Sequence, residues 1–181
     1  MGVMIRISCM LRARDVSILA LFAALISVSN IVAHWIAWVG HPTIGAIIVT
    51  FLYLTAFNIV GRLGTTTILG ILVGIINSFI FASPLSIPVH FVRGAMFDLV
   101  FLITGHRMCC RKCAIAASML SYYATVATIF ALYNLLGLPL APWFVWFIVV
   151  GIPATILTIP GALLALRYKQ LFRQVIGVGG G

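Results

Sequence analysis

Residues 85–104 read LSIPVHFVRGAMFDLVFLIT, preceded by the turn signal Ser83-Pro84. The run is apolar over about the ~20 residues that a helix needs to cross a bilayer core. Inside it stand His90, Arg93 and Asp98. A charge at the centre of a membrane helix costs at least ~2.5–3.5 kcal/mol on insertion scales, so such residues mark a path or a binding site by default. The chain has only two acidic residues, and Asp98 is one of them. Of its 11 Lys and Arg, Arg93 is the only one that does not fall in or beside a loop.

The surroundings of this run are of the same kind. Of 181 residues, 64% are hydrophobic and 7% charged, where a soluble domain carries about 25% charged residues. The apolar runs are too many for one aqueous core and lack the two-residue alternation of an outer-membrane barrel, so an all-α integral membrane protein is expected. Six spans are read at about 16–39, 43–60, 65–82, 85–104, 113–136 and 143–166, within a membrane domain of 16–168. A lead-in (1–15) precedes it, read as cytoplasmic and not as a cleaved signal, and a cytoplasmic tail (169–181) follows.

The net charge of +9 does not point to nucleic acid, because the cations sit at helix ends. Arg6, Arg12 and Arg14 precede the first span, and Arg62 lies between the second and third. Arg107, Arg111 and Lys112 lie between the fourth and fifth, and Arg167, Lys169 and Arg173 follow the sixth. The other three connections carry no Lys or Arg. This alternation predicts a six-helix bundle with short loops and both termini in the cytoplasm.

With that topology, polar side chains gather toward the outer side: Asn77, His90, Arg93 and Asn134, with Trp35 and Trp143 at the rim. Tyr53 and Asp98 are expected near mid-depth. On a helix turning ~100° per residue, Arg93 lies about 60° to one side of His90 and Asp98 about 80° to the other. All three are expected to face one interior wedge, with Gly94 leaving a groove beside Asp98. These eight residues form the expected substrate-binding set. The competing structural reading has Arg93 snorkelling outward and Asp98 bonding a neighbouring helix.

Small residues form seams: Ser17, Ala20, Ala24 and Ser27 on the first span, and Gly70-xxx-Gly74 on the third. Gly151, Pro153, Pro160 and Gly161 predict bends in the sixth. The cysteines Cys109, Cys110 and Cys113, crowded with His106 among three cations, make a poor metal cage, so no metal is expected. No catalytic motif is present, which argues against an enzyme, and no cofactor is implied.

The compact six-span pattern, Ala20-Leu21-Phe22-Ala23-Ala24 on the first span, and the run Gly61-Arg62-Leu63-Gly64, Ser83-Pro84, Ile87-Pro88, Gly94, Asp98 and Phe101 resemble the substrate-binding S-components of energy-coupling factor (ECF) vitamin transporters. The middle of the chain is most similar to the thiamine-precursor (YkoE-like) branch. The resemblance implies a subunit of an ABC-type importer in a prokaryotic inner membrane, capturing a vitamin or precursor, with thiamine or hydroxymethylpyrimidine as first guess. It also implies a transmembrane coupling subunit meeting Ala20 and Ala24, and two ATPase subunits. That branch has Gln and Glu where this chain has Arg93 and Asp98, and a cationic Arg suits an anionic or strongly hydrogen-bonding ligand. Asp98 would accept from an amine or amidine. The alternatives are an autonomous secondary carrier with Asp98 as proton site, or a structural membrane protein whose polar residues bind its helices together.

Overall fold

The computed structural model describes residues 12–35, 41–104, 111–137 and 151–176. They form six α-helices: α1 (Ala13–Trp35), α2 (His41–Val60), α3 (Thr65–Ile80), α4 (Ser86–Ile103), α5 (Arg111–Leu135) and α6 (Ile152–Ile176). Three of them, α1, α4 and α5, are long and apolar enough to cross a membrane. The apolar parts of α2, α3 and α6 are shorter. At 16 residues, α3 rises only ~24 Å.

Helix boundaries depart from the sequence expectation where capping decides them. α1 begins at Ala13 because Asp15, in its first turn, accepts a hydrogen bond from the backbone N–H of Arg12 at 3.1 Å, the reach-back half of a capping box. α3 stops at Ile80 because Ala82 adopts a left-handed φ of 47°. The expected tail from 169 onward is helical as far as Ile176. It carries no Pro or Gly before Gly177, and the Leu, Lys, Arg and Gln of this stretch are good helix formers. Residues 143–151 of the expected sixth span fall mostly outside the described residues.

The helices close a ring in the order α1, α2, α6, α5, α4, α3, and α3 returns to α1. The tightest seam is α3 on α4, where glycines remove the barrier of a Cβ. Gly70 lies under the His90 carbonyl, a Cβ at Gly74 would come within 2.8 Å of Ile87 Cα, and Gly94 of α4 sits against the Thr66 carbonyl. The Gly70-xxx-Gly74 seam of the sequence is therefore real. The groove expected beside Gly94 does not exist, because the α3 backbone fills it. Gly161 lets α6 lie against the Ile47 carbonyl of α2.

The interior is uneven along the ring axis. The larger core gathers Leu19, Phe22, Leu54, Phe57, Leu69, Phe97, Phe101 and Ala117, near the starts of α1, α3 and α5 and the ends of α2 and α4. The smaller one gathers Ala46, Tyr122, Val126 and Ala154, toward the opposite end. Arg12, Arg14, Arg62, Arg111, Lys112 and Arg167 all lie toward the larger core's end.

Candidate functional site

Arg93 projects from α4 into the middle of the ring and is 7% exposed. Its guanidinium carbon lies 5.5 Å from the ring centre of Tyr53 on α2 and 5.8 Å from that of Tyr122 on α5. These are cation–π contacts, each worth about 0.5–2 kcal/mol, more as water is excluded. Its Nη2 donates to Thr50 Oγ1 at a long 3.5 Å, and its Nε has no partner. The Tyr53 hydroxyl is also buried and unpartnered. A guanidinium carries five N–H donors, so this group keeps unspent capacity to bond an acceptor.

No carboxylate balances it. The chain's acids are Asp15 and Asp98 alone. Asp15 Oδ2 lies 3.5 Å from Arg62 Nη1. Asp98 turns to α3, where its Oδ2 accepts from the Thr67 backbone N–H at 2.7 Å and from the Thr67 hydroxyl at 2.6 Å. α3 opens on Gly64, which supplies no side-chain cap. Asp98 does from the neighbouring helix what an N-cap residue does locally, satisfying an orphan N–H at the positive end of the helix dipole.

The single interior wedge expected for His90, Arg93 and Asp98 is not formed. Arg93 and Asp98 stand about 140° apart around the helix axis, and in this ring α4 lies between α3 and α5. Asp98 is turned to α3, while Arg93 faces the middle of the ring between α2 and α5. Asp98 is also deeper than mid-helix, at the level of the first turn of α3.

His90 and Asn77 do meet, with Asn77 Nδ2 and His90 Nε2 3.1 Å apart. Asn77 is 2% exposed. His90 also lines an open cavity of about 230 Å³ with Ser83, Leu85, Ser86, Val89, Ile129, Leu132 and Tyr133, between the start of α4 and the end of α5. Arg93 is not part of this lining and lies three residues, ~4.5 Å of helix rise, further along α4. Of the rest of the expected set, Trp35 is 84% exposed and Asn134 is exposed, so neither joins this centre. Trp143 lies outside the described residues. Ala20 and Ala24 are exposed on α1, while Ser27 of the same stripe is buried.

Sequence reasoning missed Tyr122 and Thr50 as partners of Arg93, and Thr67 as that of Asp98. Tyr122 stood in an adjacent Tyr122-Tyr123 pair with no sign of which ring faces inward. Thr67 had a signal: Gly64 before Thr65-Thr66-Thr67 leaves a helix start without a local cap. The buried hydroxyls of Ser118, Ser121, Thr125, Thr155 and Thr158 bond carbonyls of their own helices, which consumes them locally. Among the described residues no group of His, Cys, Asp or Glu could hold a metal ion; Cys109 and Cys110 lie outside them.

The chain matches no family model, no curated protein and no solved structure.

Proposed function

We propose that this chain is a multi-pass membrane binding protein with six spans and both termini in the cytoplasm. It captures a small molecule from the outer side and holds it at Arg93. One observation carries this reading: a buried guanidinium at the centre of the bundle with unfilled donors and neither acid of the chain beside it. An unpaired buried charge is costly, and an arriving acceptor offsets that cost. Toward the basic end the interior is closed by stacked rings. Tyr53 and Phe97 centres are 5.7 Å apart, Phe97 and Phe101 6.4 Å, and Phe57 and Phe101 4.2 Å. The cavity at His90 lies on the other side, which favours access from outside.

The role consistent with these features and with the sequence resemblance is the substrate-capturing subunit of an ECF-type importer. It would work with a coupling subunit and two ATPases, using the exposed Ala20–Ala24 face for docking. Asp98 lies on the α3 side of α4, its Oδ2 bonded to Thr67 and its Oδ1 without a partner, so an acceptor-rich ligand suits the Arg93 site better than an amidine-bearing vitamin precursor.

The test is mass spectrometry of small molecules that co-purify with the full chain and with R93Q. A ligand held without any ion gradient by the first and absent from the second is the expected result. Gradient-driven uptake by this chain alone in liposomes overturns the role, and equal ligand in both proteins overturns the site.

A further inference from the structure

We infer that the ligand is a small monocarboxylate with a compact apolar body, its carboxylate at Arg93 and its body in the cavity beyond His90. This rests on the reading of Arg93 as the capture residue and narrows it to a chemical class.

Charge sets the anionic end. Among the described residues Arg93 is the only Lys or Arg inside the ring, and the two acids are engaged elsewhere. One negative charge neutralises it. A dianion such as a phosphate monoester leaves one charge uncompensated in a low-dielectric interior, where such a charge is expensive. A neutral acceptor leaves the guanidinium itself uncompensated. Geometry selects among monoanions, since a carboxylate can take two N–H donors of a guanidinium at once. The unpartnered Nε of Arg93 and the unpartnered Tyr53 hydroxyl supply donors that no protein group occupies.

The cavity sets the body. Leu85, Val89, Ile129 and Leu132 make most of its wall apolar, with Ser83, Ser86, His90 and Tyr133 as its polar members. Its volume of about 230 Å³ falls below the ~300–1,000 Å³ typical of drug-sized pockets. An enclosed apolar cavity of ~150 Å³ already holds benzene; this one is an open cleft with room for a six-membered ring bearing one substituent. Arg93 does not itself line the cavity; it follows His90 by three residues, ~4.5 Å of helix rise, and the carboxylate on such a ring is placed across that rise.

The experiment is isothermal titration of the full chain in lipid nanodiscs with benzoate, benzamide, acetate and phenyl phosphate. Benzoate is expected to bind at least about tenfold more tightly than each of the others, a difference of ~1.4 kcal/mol. Benzamide or phenyl phosphate binding as well as benzoate overturns the monoanion, acetate doing so overturns the apolar body, and no binding by any of the four overturns the class. R93Q, checked for folding by its thermal transition, is expected to lose benzoate; unchanged affinity overturns the placement. V89W keeps Arg93 but fills the cavity, and is expected to weaken benzoate at least about tenfold; wild-type affinity there also overturns it. A neutral molecule that co-purifies with wild type and is lost from R93Q overturns the carboxylate while leaving Arg93 as the capture residue.

Discussion

Arg93 and Asp98 are both charged, both buried in one helix, and five residues apart, yet their surroundings differ in kind. Asp98 is met by a backbone N–H and a hydroxyl of Thr67, across a seam drawn tight by Gly70, Gly74 and Gly94. Arg93 is met by the faces of two tyrosine rings and one distant hydroxyl. The first charge closes a structural bond between two helices. The second is held in place without being neutralised. Burial of charge in a bundle is therefore no single signal of function; the two differ in what the fold supplies, two short donors to Asp98 Oδ2, whose Oδ1 has no partner, against one long hydrogen bond from Arg93.

Four substitutions break or sharpen this contrast. R93Q should weaken ligand binding by about 100-fold or more, ~2.7 kcal/mol, while the ligand-free protein melts at or above the wild-type temperature, because an uncompensated charge is gone. Titration and thermal unfolding of the same sample check both halves. D98A should do the reverse, lowering stability by about 2 kcal/mol through loss of the α3 cap, with ligand affinity in the folded fraction within a few-fold of wild type. A D98A protein that melts normally but binds nothing would erase the distinction.

G94A should cost roughly 1–3 kcal/mol of stability, since its Cβ meets the Thr66 carbonyl; a melt equal to wild type would mean that the seam gives way easily. The smallest effect on the molecule itself is expected from A24W on the exposed face of α1. Ligand binding and melting should change little, while uptake, under the proposed importer role, stops. Lost binding in A24W would place that face inside the functional bundle.

Much of this was legible in the sequence because its physics is local. The helical segments follow from run length, and the gathering of cations at one end follows from their spacing. Gly70 and Gly74 declared a close helix contact because small residues four apart can serve little else in an apolar helix. The pairing of His90 with Asn77 was foreshadowed by their shared depth. The division between Arg93 and Asp98 was not legible. An angle of about 140° on a helical wheel is compatible with one broad cavity or with two separate neighbours, and only the order of helices around the ring decides between them. Nor could one chain position reveal that Gly64 leaves a helix start to be capped from another helix.

The sequence by itself determined an all-helical, apolar chain with one unusual helix carrying Arg and Asp, because hydropathy, helical period and charge placement act over a few residues. Tertiary structure alone decided that Asp98 serves α3, that Arg93 stands between Tyr53 and Tyr122, and that a cavity ends one turn away from it at His90. Those outcomes depend on which helices become neighbours, and that is set by the summed packing of small residues and rings far apart in the chain.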